Sequence, residues 1–263
     1  MKRFAFLGAG NMAAAIIGGM KNADITVYDK FPSQYDKFDA SVKKAPTAAK
    51  AVEGTDYIVL SVKPQNFPEL LAELRESGTP TDGKVFISIA AGISCESICR
   101  GLGKNVAVIR TMPNTPLMIG KGVTALSRNE LVSDDDFCTV EAMFASLGKT
   151  MILPEDKMNA VIAATSSAPA YVYYFIDCIY REAKREGIDS NDLLSAICAM
   201  VSGSAEMLMS TGKTPEELIR MVTSPKGTTE RAMNVLYQDN FSDIIARAMQ
   251  ACSERAEELS KQY

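Results

Sequence analysis

The chain has 263 residues, 28 basic against 32 acidic, for a formal net charge of −4. That length suits one large domain or two modest ones, and interspersed signs without a basic block argue against nucleic acid and membrane as partners. It contains no histidine, which excludes Ser-His-Asp hydrolysis, Cys-His catalysis and histidine-held metals together.

The chain opens with Met1-Lys2-Arg3 and enters an apolar run too short for a signal peptide. Apolar, β-branched runs at 4–7, 25–28, 57–62, 85–90 and 106–109 predict strands, with weaker ones at 123–126 and 150–153. Helices are expected over 11–22, 66–77, 94–102 and 134–147. Strands that are apolar throughout and alternate with helices predict an α/β fold, a Rossmann-type doubly wound parallel sheet covered on both faces. Residues 1–154 hold 13 of the 17 glycines and 8 of the 11 prolines, so turns concentrate there.

Residues 155–263 read as an all-α C-terminal domain. Met158, Val161, Ile162, Thr165, Val172, Ile176 and Ile179 recur at helical steps. So do Leu193, Ile197, Val201 and Leu208, and then Phe241, Ile244, Ile245, Ala248, Cys252 and Leu259. Residues 158–176 carry no charge, but Asn159, Thr165, Ser166, Ser167 and Pro169 interrupt them. They predict a helix buried in protein rather than a membrane span. A helix apolar nearly all round needs more cover than a small helical domain supplies, which predicts a homodimer. The six cysteines are scattered and form no CxxC pair; they read as reduced residues of a cytoplasmic protein.

Gly8-Ala9-Gly10-Asn11-Met12-Ala13 follows the first predicted strand and opens a helix. This GxGxxA pattern predicts dinucleotide binding: Gly8 for the tight turn, Gly10 for close approach of a pyrophosphate, Ala13 for helix–strand packing. Asp29, 21 positions after Gly8, is placed to accept the adenosine ribose hydroxyls and to repel a 2′-phosphate. Lys30 is placed to offset that repulsion, and a solvated loop is the competing reading of both. Ser61-Val62-Lys63-Pro64 ends the 57–62 strand, and the carboxyl ends of parallel strands are where ligands sit in open α/β sheets. Lys63 reads equally as a cofactor donor or a surface lysine before a rigid proline. Ala90-Ala91-Gly92 leaves room for a flat ring. Asn114, between two prolines, suits a nicotinamide or substrate contact, or a structural turn. Two polar clusters remain. Residues 165–171 are either a site or a kink with back-bonded hydroxyls. Residues 224–229 have the makings of a helix start that binds a carboxylate, or of simple capping.

As a set, GAGNMA at 8–13, SVKP at 61–64, SIAAG at 88–92, RTMPNTP at 110–116, SSAPAYV at 166–172 and SPKGTTERAM at 224–233 resemble the pyrroline-5-carboxylate reductase family nearly end to end. The resemblance implies NADPH or NADH as cofactor, a cyclic imine as substrate and L-proline as product. It also implies a dimer of interleaved helices, and dimers assembled into a ring. It gives the 8–13, 61–64 and 90–92 motifs and Asn114 cofactor contacts. It gives Ser224, Gly227 and Thr228 the substrate carboxylate, and Thr229 the ring nitrogen. The chain departs from the family's pattern at Lys226, where a glycine is usual, and at Ser166-Ser167-Ala168, where a Gly-Ser-Gly-like stretch is usual. A reductase of another imine or a β-hydroxyacid, and a dinucleotide-sensing module, are the competing functions. No metal site is expected.

Overall fold

The computed structural model describes residues 1–262. In chain order the elements are β1 (Lys2–Leu7), α1 (Asn11–Gly19), β2 (Ala23–Tyr28), β3 (Lys43–Lys44), α2 (Ala48–Val52), β4 (Tyr57–Leu60), α3 (Phe67–Glu76), β5 (Val85–Ser88), α4 (Cys95–Leu102), β6 (Ala107–Pro113), β7 (Gly122–Arg128), α5 (Asp134–Ala145) and β8 (Gly148–Ile152). There follow a π-helical turn (Ile162–Ser166), α6 (Ala168–Arg185), α7 (Leu193–Thr211), α8 (Pro215–Val222), α9 (Thr228–Gln238) and α10 (Phe241–Gln262).

The strands form one sheet in the order β3-β2-β1-β4-β5-β6-β7-β8. Every pair is parallel except β6–β7. That antiparallel step departs from the all-parallel expectation and has a local cause. No helix long enough for a crossover separates the two strands: a short 3₁₀ turn, Thr115–Ile119, ends on Gly120 at φ +68° and reverses the chain. The strands and helices expected within residues 1–154 are all present, and β3 and α2 add two short elements between the second and third of the expected strands.

Side chains alternate across β1, and both sets are buried, which is why the strand reads as continuously apolar. Phe4 and Phe6 pack on one face with Ile16, Val140 and Phe144 of α1 and α5. Ala5 and Leu7 pack on the other with Leu70, Leu74 and Ile98 of α3 and α4. The carboxyl ends of β1 and β4 thereby emerge side by side, with the Ser61 N–H donated to Leu7 O at 2.8 Å.

The chain divides into two compact units: residues 1–167 together with the described residues from 251 on, and Ala168–Gln250. The division differs in two respects from one at 154/155. Residues 155–167 pack on the sheet's last strands, where Met158 and Val161 are buried with Ala125. The last turns of α10 also return to the first unit, where Ala256 is 3% exposed.

The expected single helix over 158–176 is broken. Its first part closes as a π-turn, with Ser167 N–H donated to Ile162 O at 2.8 Å, and α6 starts afresh at Ala168. The second unit buries little of its apolar surface within one chain: Tyr173, Tyr174, Phe175, Met209, Val222 and Tyr237 are all exposed. Its α7 is long and apolar enough, by length and composition, to cross a membrane, with mean hydropathy 1.5. The uncharged 158–176 run forms no such helix.

Candidate functional site: a dinucleotide cavity and an uncapped helix start

Gly8 leaves β1 at φ +108°, and a Cβ there would lie 2.6 Å from the Ser61 carbonyl carbon. Only glycine fits both the conformation and the space. Gly10, by contrast, faces open space, with nothing within 4 Å of where its Cβ would be. It is the N-cap of α1, no side chain caps that helix start, and no acidic residue stands in its first turn. A helix N-terminus with no side-chain cap and no acidic residue in its own first turn, beside open space, suits a pyrophosphate. Ala13 is buried at 1% exposure, as close helix–strand packing requires.

A cavity of about 390 Å³ opens here and brings together Gly8, Gly10, Asp29, Lys30, Ser61, Val62 and Lys63 from the predicted set. Ala9, Asn11, Met12, Ala13 and Pro64 are beside it in sequence but do not line it, nor do Ala90, Ala91, Gly92 and Asn114. Phe31, Gln34 and Gln65 do line it and were not singled out, because nothing in their local pattern marks them.

The Asp29 carboxylate is engaged within the protein: Oδ2 accepts the Ala9 N–H at 2.7 Å and Oδ1 the Phe31 N–H at 2.9 Å. It therefore ties the glycine turn to the end of β2. The Tyr35 hydroxyl donates to Asp29 O at 3.1 Å, and Lys37 donates to Ala9 O at 3.4 Å. Lys30 pairs with Glu69 at 2.5 Å, and that bond raises the ammonium pKa. Ser61 donates its hydroxyl to Gly8 O at 2.6 Å, fastening β4 to the turn.

At the end of β5, Gly92 takes φ +75°, and a Cβ there would lie 3.0 Å from Leu259 Cβ and 3.2 Å from Ala256 O. The last turns of α10 thus pack directly on this glycine. Asn114 is 7% exposed. Its Oδ1 accepts the Val123 N–H at 2.8 Å, and its Nδ2 donates to Thr165 O at 3.0 Å. The side chain joins β7 to the π-turn, so the structural alternative describes the bonds it makes. Thr165 donates back to Val161 O at 3.1 Å, the back-bonding expected of a kink. Ser167 accepts from the Cys252 thiol at 3.3 Å. The Ser166 hydroxyl is buried and has no partner among the described residues.

The motif that carries Asn114 also contains a buried cation. Arg110 is 4% exposed. It donates to Asn159 Oδ1 at 2.6 Å and faces Glu155 at 3.8 Å. Burial lowers its pKa, and Glu155 opposes that shift. Glu155 also accepts the Cys95 N–H at 2.7 Å, and burial beside it pushes the Cys95 thiol far up. Cys95 is consequently an inert, protonated core residue.

In the second unit, residues 223–227 link α8 to α9. Gly227, not Ser224, is the N-cap of α9, and no side chain caps the helix start. Pro225 lies in the turn before the helix. Gly227 N–H is donated to Ser224 O at 3.0 Å, and a Cβ on Gly227 would fall 2.5 Å from Ser224 Oγ. Thr228 and Thr229 are the first two helical residues, the first exposed and the second half-buried. Their N–H groups point out of the helix start, where an anion is favoured. Lys226 adopts φ +59°, which costs an L-residue roughly 1–2 kcal/mol and accounts for the preference for glycine there. Its N–H is donated to Glu230 Oε2 at 2.8 Å.

Comparison with known proteins gives two family matches. Residues 155–259 match the family described as "Pyrroline-5-carboxylate reductase dimerisation", and residues 3–92 that described as "NADP oxidoreductase coenzyme F420-dependent". The chain is 33% identical over 270 residues to the Escherichia coli pyrroline-5-carboxylate reductase, covering 99% of each chain. The Streptococcus pyogenes 1-pyrroline-5-carboxylate reductase structure superposes with TM-score 0.90 at 26% identity, over 97% of this chain and 98% of that one. The Plasmodium falciparum pyrroline carboxylate reductase, solved with NADP bound, gives TM-score 0.89 at 22% identity, over 98% of each chain, and shows the same fold.

Proposed function

The chain belongs to the pyrroline-5-carboxylate reductase family, an NAD(P)H-dependent oxidoreductase family, and from that premise we propose how its residues reduce L-1-pyrroline-5-carboxylate to L-proline. When bound, NAD(P)H supplies the hydride. The bare N-terminus of α1 and the Gly8–Gly10 turn hold the pyrophosphate, and Asp29 and Lys30 border the adenosine ribose. Lys63 donates to a cofactor hydroxyl or phosphate.

The chemistry demands little beyond positioning. A cyclic imine takes hydride at carbon once its nitrogen is protonated or hydrogen-bonded. The N–H groups of Thr228 and Thr229, with Ser224 and Gly227 shaping the turn, hold the substrate carboxylate. The Thr229 hydroxyl supports the ring nitrogen, which takes up the C=N electron pair as hydride bonds to the adjacent carbon. No imidazole is needed, which suits a chain without histidine.

The observation that carries this reading is the uncapped start of α9, preceded by a turn in which Gly227 is packed against Ser224. A side-chain cap would take one or two of the N–H groups that this helix start leaves free for a carboxylate.

The exposed aromatic and methionine side chains of the second unit support a homo-oligomer, as the dimerisation match indicates. We extend this to dimers assembled in a ring, and to a cytoplasmic location in keeping with six free thiols. The test is NAD(P)H oxidation with pyrroline-5-carboxylate, with acyclic imines and β-ketoacids alongside. Turnover confined to the cyclic imine supports the reading. Faster turnover of a β-ketoacid, or cofactor binding without turnover of any substrate, contradicts it.

A further inference from the structure

Residue 226 must be left-handed for the turn before α9 to close, and this chain places a lysine there at φ +59°. A residue in that region relaxes unless its surroundings hold it. Relaxation would swing the 226–227 peptide and displace Gly227, which has no slack: a Cβ on it would already be 2.5 Å from Ser224 Oγ. The bond that holds residue 226 comes from Glu230, whose Oε2 accepts the Lys226 N–H at 2.8 Å.

Glu230 is the third residue of α9, the position from which a glutamate ordinarily reaches back to the N-cap N–H. Here the N-cap N–H, that of Gly227, is already donated to Ser224 O at 3.0 Å. The carboxylate reaches one residue further, to 226. It neither caps Thr228 nor caps Thr229.

We propose that Glu230 is a positioning residue for the 224–229 turn, required because position 226 is lysine: it holds Lys226 left-handed and so keeps the Thr228 and Thr229 N–H groups presented and open. This rests on the assignment of that turn to the substrate carboxylate. Glu230 touches no reacting atom and acts only through the backbone of 226 and 227.

A mutant cycle tests it, read as KM, kcat and cofactor Kd. In the parent, Glu230→Ala should raise the KM for pyrroline-5-carboxylate roughly three- to tenfold, as loss of one backbone-holding hydrogen bond implies. The kcat and the NADPH Kd should stay within about twofold. Glu230→Gln keeps an acceptor oxygen and should stay near the parent KM. In a Lys226→Gly background, where the left-handed conformation needs no support, Glu230→Ala should change KM less than about twofold. An equal rise in both backgrounds would overturn the proposal, as would an unchanged KM for Glu230→Ala in a series where Ser224→Ala raises it. Ser224→Ala leaving KM untouched would instead overturn the assignment of the turn to the carboxylate.

Discussion

The carboxylate of Asp29 accepts the N–H of Ala9 at 2.7 Å, so the residue placed to meet the ribose also braces the glycine turn that meets the pyrophosphate. Asp29→Ser should therefore act twice. It removes the charge that opposes a 2′-phosphate, raising the NADPH-to-NADH ratio of kcat/KM, and it slackens the turn, weakening both cofactors. Binding titrations with each cofactor, beside steady-state kinetics, separate the effects. An unchanged ratio with both affinities reduced would leave Asp29 as a brace alone.

Gly92→Ala tests the packing of the chain's last turns on the β5 end. The substitution forces alanine into φ +75° and brings its methyl to 3.0 Å from Leu259 Cβ. Strain of this kind costs about 1–3 kcal/mol. Thermal melting should show that loss, and amide exchange should rise in residues 251–262 before the sheet core. Unchanged exchange there would mean that the helix end holds without Gly92.

Arg110 is 4% exposed and tied to Asn159 and Glu155. Arg110→Ala removes a buried cation and leaves the Asn159 amide oxygen without its donor. A loss of about 2–4 kcal/mol in chemical denaturation is expected. Glu155→Gln should cost less, because Glu155 is about one-third exposed and the amide oxygen can still accept the Cys95 N–H. Equal losses would show that the ion pair, and not the hydrogen bonds, holds this corner.

Much of the first unit was legible because its signals are local. Gly8 must be glycine for the φ of its own tight turn, and β1 reads as apolar because both its faces are covered. The bonds of Asn114 were not legible: its partner Thr165 is 51 residues away, and a Pro-Asn-Thr-Pro turn looks the same whether its amide meets a ligand or a carbonyl. The return of α10 to the first unit was hidden because Cys252 and Leu259 continue the same helical period as Phe241, and periodicity does not say which surface a stripe meets. The exact start of α9 within 224–229 was not legible either: serine, threonine and glycine all serve as N-caps by type, and the chain closes its turn through the left-handed Lys226 and starts the helix after Gly227.

The helices of the second unit leave Tyr173, Tyr174 and Met209 at 60%, 67% and 76% exposure in one chain. Exposed apolar surface of that kind marks an interaction site, so light scattering at micromolar protein should give a dimer or a multiple of it. Tyr174→Glu should lower the assembly state and the activity together. An active monomer would contradict this.

The account rests most heavily on Thr229, and the turnover of Thr229→Ala at saturating substrate and cofactor tests it most directly. Losing one such donor in a water-excluded site should cost about 2–4 kcal/mol of transition-state stabilisation, roughly 30- to 1,000-fold in kcat. Cofactor affinity should be nearly unchanged, and Thr229→Ser should retain much of the rate because the hydroxyl remains. Turnover of Thr229→Ala at the parent rate would contradict the account, leaving Thr229 as the opening residue of a helix and the imine nitrogen to be protonated from water.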